Sequence, residues 1–239
     1  MKCLYIYGSS SAVGGHDLVS KQLSLANGSK VYFYNGTIMV QNPREPLSGS
    51  GLYGSSPMRY FADKLAGLNG YDIGFLAIRS PNAASWHEGL GLWDSDAIQA
   101  TKSYIQPLLA DGWLVKGIIA AIDGEFDTIN EINSFARREK TVMNSWRSQF
   151  SAPQVFLLQT EMLTPNHLTA DTSRRLRLYR QVQADINKTD PKTTVITTSP
   201  NWGQMPYSPL HLNVAGMKSC GDAMGTVVNN WNIAHPLEF

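Results

Sequence analysis

Residues 2–16 read "KCLYIYGSSSAVGGH". Leu4 to Tyr7 are all large and apolar or aromatic, and the run then breaks at Gly8 into Ser9, Ser10 and Ser11. A near-continuous apolar run closed by glycine and serine predicts a strand covered on both faces that ends in a turn. The pattern returns at "DIGFLAI" (72–78) and "VKGIIAAI" (115–122). Working outward, strands are expected at Cys3–Tyr7, Val31–Tyr34, Ile73–Ile78, Val115–Ile122 and Val155–Gln159, with a shorter pattern at Thr194–Thr197.

Amphipathic segments alternate with these strands. In "SSPMRYFADKLAGL" (55–68), Ser56 reads as an N-cap and Pro57 as the first helical residue. Met58, Phe61, Leu65 and Leu68 then recur at helical spacing. Two further stripes run through Ile132–Trp146 and Leu176–Ile186, and a last helix is expected from Ala215 to Trp231. Residues 41–57, rich in Gly, Ser and Pro, read as a surface loop. Strand–helix alternation of this kind predicts an α/β domain over residues 1–239, with a mainly parallel five-stranded sheet.

Composition narrows the function. The 239 residues are 43% hydrophobic and 16% charged, with a net charge of +1. That balance carries no electrostatic footprint for nucleic acid and no basic cluster for a membrane surface. The longest apolar runs are far too short to span a bilayer. The short run before Gly8 reads as a strand and not as a signal peptide, so the expected setting is cytoplasmic or within a larger or virion-associated assembly. Cys3 and Cys220 form neither a disulfide framework nor a zinc set and read as small buried hydrophobes. No cofactor and no metal ion are expected, and the oligomeric state is left open.

In parallel sheets ligands gather at the carboxyl ends of strands. Three segments fall there: Ser9–Ser11, Arg79–Asn82 and Asp123–Asp127. A serine hydroxyl attacks a carbonyl only when a base takes its proton, so a candidate nucleophile needs a histidine. Of five histidines, His211 stands out in "PYSPLHLNVAGMKS" (206–219), a loop constrained by Pro206 and Pro209 that leads into the last helix. "DGEFDT" (123–128) places three carboxylates in five residues; its ordinary reading is a solvated acidic turn or a helix cap at Asp127, and its spacing is not that of an EF-hand calcium loop.

Taken in order, these blocks resemble the SGNH (GDSL-like) hydrolases, in their sialate O-acetylesterase-like branch of carbohydrate esterases. "GSSS" (8–11) stands where that branch reads Gly-Gln-Ser-Asn, and "RSP" (79–81), with Trp86 further on, where it reads Arg-Gly-Gly. "DGEFD" (123–127) and "HLNVAG" (211–216) match its third and last blocks. The resemblance spans the chain and implies a flavodoxin-like three-layer α/β/α sandwich. It also implies Ser10 as nucleophile, His211 as general base and an oxyanion hole that includes the Ser10 N–H. Ser9 and Ser11 receive no catalytic role.

Three positions depart from the family pattern. Ser208 stands where most members have the Asp three residues before the histidine, although some members of this branch also lack it and work as Ser–His dyads. A backbone carbonyl, Ser208 or Glu125 is left to orient His211. Pro81 has no N–H, so the second oxyanion donor is the Ser80 amide or the Asn82 side chain. Asp123 replaces a donating Gln; it stays protonated, pairs with Arg79 from a neighbouring strand, or faces His211.

The expected activity is a metal-independent serine esterase acting on an O-acetylated carbohydrate, sialic acid or polysaccharide, with Tyr53, Trp86, Trp93 and Trp202 available to stack on sugar rings. Two rival readings stand beside it. One is a catalytically weak carbohydrate-binding or virion-structural module of the same fold. The other is a GDSL-type lipase or thioesterase.

Overall fold

Along β1 (Lys2–Gly8) the side chains divide strictly by parity. Cys3, Tyr5 and Tyr7 enter one buried cluster, and Leu4 and Ile6 enter another. A strand whose two faces both reach a core must lie inside a sheet with a layer on each side. The structure, a computed structural model, describes residues 1–8, 23–44, 47–49, 52–54, 56–77, 95–121, 129–159, 169–197, 204–205 and 208–236.

In chain order the remaining elements are β2 (Val31–Tyr34), β3 (Met39–Gln41), β4 (Leu47–Gly49), β5 (Leu52–Gly54), α1 (Pro57–Asn69), β6 (Asp72–Ala77), α2 (Ser95–Ala110) and β7 (Trp113–Ala121). They continue with α3 (Ile129–Phe150), β8 (Val155–Leu158), α4 (Ala170–Thr189), β9 (Thr193–Ile196), β10 (Gln204–Met205), β11 (Ser208–Leu212) and α5 (Val214–Ala234). The main sheet runs β3-β2-β6-β1-β7-β8-β9. All its pairs are parallel except β2 with β3.

The α/β class and the mainly parallel sheet match the expectation, but the sheet has seven strands and not five. The short Thr193–Ile196 segment closes one edge. At the other, β3 contributes three residues and no buried side chain, too little for a periodic signal. A second correction concerns residues 41–57. That stretch is not all loop, because β4 and β5 pair there as an antiparallel ribbon.

α1 and α5 cover one face of the sheet, their Phe61, Leu65, Met217, Cys220 and Met224 packing with Tyr5, Phe75 and Phe156. α2, α3 and α4 cover the other, where Ile105, Met143, Trp146 and Tyr179 meet Leu4, Ile6 and Leu157. This is a flavodoxin-like three-layer arrangement. Cys3 and Cys220 are free thiols inside it, and burial pushes the Cys3 thiol up to about 11.

α1 begins as its sequence dictates. Buried Ser56 accepts the Met58 N–H at 3.2 Å, and Pro57 opens the helix where its missing N–H leaves nothing unsatisfied. α2 is a helix at a stretch where no element is singled out from the sequence. It carries Pro107 in its final turn, a residue that in sequence argues against a helix.

Candidate active site

The geometry at the carboxyl edge of the sheet comes from three adjacent strands. β1 lies between β6 and β7, with Tyr7 level with Ala77 on one side and Gly8 level with Ala120 on the other. Neighbouring strands are about 4.8 Å apart, so the segments after these three strands leave the sheet side by side within roughly 10 Å. Those segments carry Ser10, then Ser80 and Asn82, then Asp123 and Glu125. All five residues lie outside the described residues; their strands fix where each segment starts.

One expectation about this edge is corrected. Arg79 and Asp123 do not succeed neighbouring strands, because β1 separates β6 from β7. β7, the strand that precedes Asp123 in the chain, borders β1 directly.

His211 and Ser208 lie on β11, which pairs antiparallel with β10 through Gln204↔Leu212 and Met205↔Ser208. The sequence suggested a loop here; the chain forms a short ribbon, with Pro209 allowed because each of its strands has a free edge. Leu212 is buried in the same cluster as Tyr7, Ala77, Leu158 and Ile196, which stand at or next to the carboxyl ends of four strands. Asn213 then caps α5, its Oδ1 accepting the Gly216 N–H at 2.9 Å.

The direction of α5 confirms which edge this is. A Cβ on Gly221 would lie 2.6 Å from Pro57 O, and one on Gly225 would lie 2.9 Å from Lys64 Cβ, so α5 and α1 run parallel. α1 delivers the chain to Asp72, which pairs with Lys2 at the amino edge, so both helices start at the carboxyl edge. At the far end of α5 the Trp231 ring meets Phe156, the second residue of β8, edge-on at 5.7 Å.

His235 stacks on Trp231 at 4.6 Å, and its Nδ1 lies 2.9 Å from Trp231 O. At 1.5 Å per residue, about 30 Å of helix separates it from the start of α5. His235 therefore lies at the amino edge, whereas the ribbon bearing His211 lies at the carboxyl edge, where β1 ends. His16, His87 and His167 lie outside the described residues, as do Trp86, Trp93 and Trp202; β5 contains Tyr53.

Sequence reasoning gave Asn213 no role, although the signal was present: an Asn directly before a helix, with a free N–H three residues on. Among the described residues no cluster of His, Cys, Asp or Glu is arranged to hold a metal ion, and no helix is long and apolar enough to cross a membrane.

A protein of Arabidopsis thaliana superposes with a TM-score of 0.73 at 15% identity, over 96% of this chain and 98% of that one. A carbohydrate acetylesterase from Xanthomonas citri superposes at 0.65 and 13% identity, over 96% of this chain. The fold is that of a known acetylesterase. The present chain spans 56% of the Xanthomonas enzyme's length. NanS matches at 0.62 and 12% identity, over 98% of both chains. No family model and no curated protein sequence matches the chain.

Proposed function

We propose that this chain is an SGNH-type serine esterase that removes O-acetyl groups from a carbohydrate. The observation that carries the reading is the placement of β1 between β6 and β7, with α5 starting at the same edge. That placement supports bringing Ser10, an oxyanion donor and a base into one site. The likeness of fold to a carbohydrate acetylesterase supports the choice of substrate.

In this reading Ser10 Oγ attacks the acetyl carbonyl carbon while His211 takes the hydroxyl proton. Negative charge develops on the carbonyl oxygen, facing the Ser10 N–H and a donor from Ser80 or Asn82. Collapse breaks the bond to the sugar oxygen, which leaves with the proton from His211. Water then gives a proton to His211 and attacks the acetyl–Ser10 ester, releasing acetate and restoring the serine. Ser208, Glu125 or a backbone carbonyl orients the imidazole. No step calls for a cofactor or metal.

Hydrolysis of acetyl, butyryl and octanoyl esters, with acetate release from acetylated glycans, tests this. Acetyl preference is the expected result. Preference for octanoyl would make the chain a lipase or thioesterase, and absence of turnover on every ester would leave a binding module.

A further inference from the structure

Arg59 lies on the first turn of α1 with 3% of its surface exposed. Its Nε donates to Pro43 O at 2.8 Å and its Nη1 to Leu23 O at 2.7 Å. Two of its five N–H groups are thereby taken by backbone carbonyls, and no ion pair is formed among the described residues. Carbonyl dipoles solvate a guanidinium, but they leave its charge unneutralised. The Tyr60 ring, 5.4 Å from the guanidinium carbon, adds a cation–π contact, but a buried charge is ordinarily paired, and among the described residues this cation has no counter-ion.

Arg59 lines a cavity of about 180 Å³ with Leu23, Ser24, Leu25, Asn42 and Arg44. Arg44 is exposed and likewise has no ion pair among the described residues. Among the described residues the lining thus holds two cations, a hydroxyl and an amide, and no carboxylate. Asp63, one turn further along α1, is already engaged by the N–H groups of Ala26 and Asn27, at 3.2 and 2.6 Å.

We propose that this cavity binds an oxyanion, the carboxylate, sulfate or phosphate group of a small ligand. Arg59 is pre-set: its two carbonyl bonds fix the guanidinium before any ligand arrives, so little side-chain freedom is lost on binding. Arg44 is the mobile partner that closes on the anion from solvent. Ser24 and Asn42 supply neutral donors. The volume accommodates an oxyanion together with bound waters. The site stands whether or not the chain is an esterase.

The test is calorimetric titration at low ionic strength with sodium phosphate, sodium sulfate and glucuronate, with glucose as the neutral control. Saturable binding of one or more anions at one site per chain is expected, with no response to glucose. Arg44→Gln should weaken binding about tenfold or more, as expected for loss of a charge-assisted hydrogen bond. Arg59→Lys, which keeps the charge but not the planar fork, should weaken it as well. Tightest binding of glucuronate would identify a sugar acid as the source of the anion; tightest binding of phosphate or sulfate would identify the free ion or its ester. Because Arg44 is exposed, its variant keeps the test decisive even if Arg59→Lys fails to fold. Absence of saturable binding by all three anions, equal binding of glucose, or anion affinity unchanged in Arg44→Gln would overturn the proposal.

Discussion

A Cβ placed on Gly221 would sit 2.6 Å from the backbone nitrogen of Phe61. Real Cβ atoms do not approach so closely, so α5 and α1 touch here backbone to backbone. That contact fixes the height of α5 along the sheet, and with it the ribbon that holds His211.

Gly221→Val is therefore expected to destabilise the protein by about 1–3 kcal/mol, the usual range for forcing extra methyl groups into a packed seam. Gly225→Ala should fall within about 1 kcal/mol of the parent. Its single methyl meets Lys64 Cβ and Cγ at 2.9 Å and Phe61 O at 3.1 Å, so the helices must give way slightly, and alanine's gain of about 1 kcal/mol in helix propensity offsets much of that cost. Urea denaturation of both variants checks the contrast. Equal stability of the two would mean the seam is not the rigid contact described.

Asn213 acts on the same ribbon from the other side. Asn213→Ala should lower stability by about 1 kcal/mol through loss of the cap to Gly216 N–H. It should also lower kcat more than it changes KM, because His211 is two residues upstream. Asn213→Asp retains an acceptor and should restore most of both. A variant with reduced stability but unchanged kcat would separate the cap from the placement of His211.

Away from the site, Arg147 and Asp190 form a largely buried ion pair at 2.9 Å that ties α3 to the turn before β9. Burial alone would push the Asp190 carboxyl up. Hydrogen bonds from Thr193 and Arg147, and the Arg147 charge, outweigh it and hold the group below its ordinary value. A carboxyl whose folded value is lowered contributes stability above its unfolded value of about 3.9, and that stability is lost as pH falls further. Asp190→Asn should cost about 3 kcal/mol near pH 7, because it leaves Arg147 without its counter-ion. The gap between variant and parent should narrow below about pH 4. Urea midpoints at pH 7, 4 and 3 measure it, and a gap constant with pH would contradict the pairing.

Periodicity made the larger elements legible in the sequence. The apolar run of Cys3–Tyr7, the Ser56–Pro57 start of α1, the stripes of α3 and α4 and the extent of α5 were readable, because each pattern extends over several residues. β3 and the β4–β5 ribbon were not, since three-residue strands leave no period to detect. α2 was not singled out, and its Pro107 runs against a helical pattern. Of the candidate site, Ser9–Ser11 and His211 could be singled out by chemistry and resemblance. That β1 separates β6 from β7 is a matter of strand order, which no local pattern encodes. Nor could the sequence show that Arg59 reaches across to carbonyls of residues 23 and 43.

Strand order sharpens the expectation for Asp123, because β7, which precedes it, borders β1, which precedes Ser10. An ionised carboxylate facing the oxyanion at about 4 Å would oppose it by roughly 4 kcal/mol at an effective dielectric near 20. That is about a thousandfold in rate. An active enzyme must keep this charge protonated or turned away, so Asp123→Gln should retain or raise turnover. A fall of about a hundredfold with folding intact would instead make Asp123 the partner that orients His211.

The most direct measurement of the central claim is covalent trapping. The protein is treated with a serine-directed phosphonate ester, digested, and the modified peptide sequenced by mass spectrometry. The account predicts a single adduct on Ser10, formed in the parent and in Ser9→Ala and Ser11→Ala, and absent from Ser10→Ala. An adduct on any other residue, or one that persists in Ser10→Ala, would contradict it.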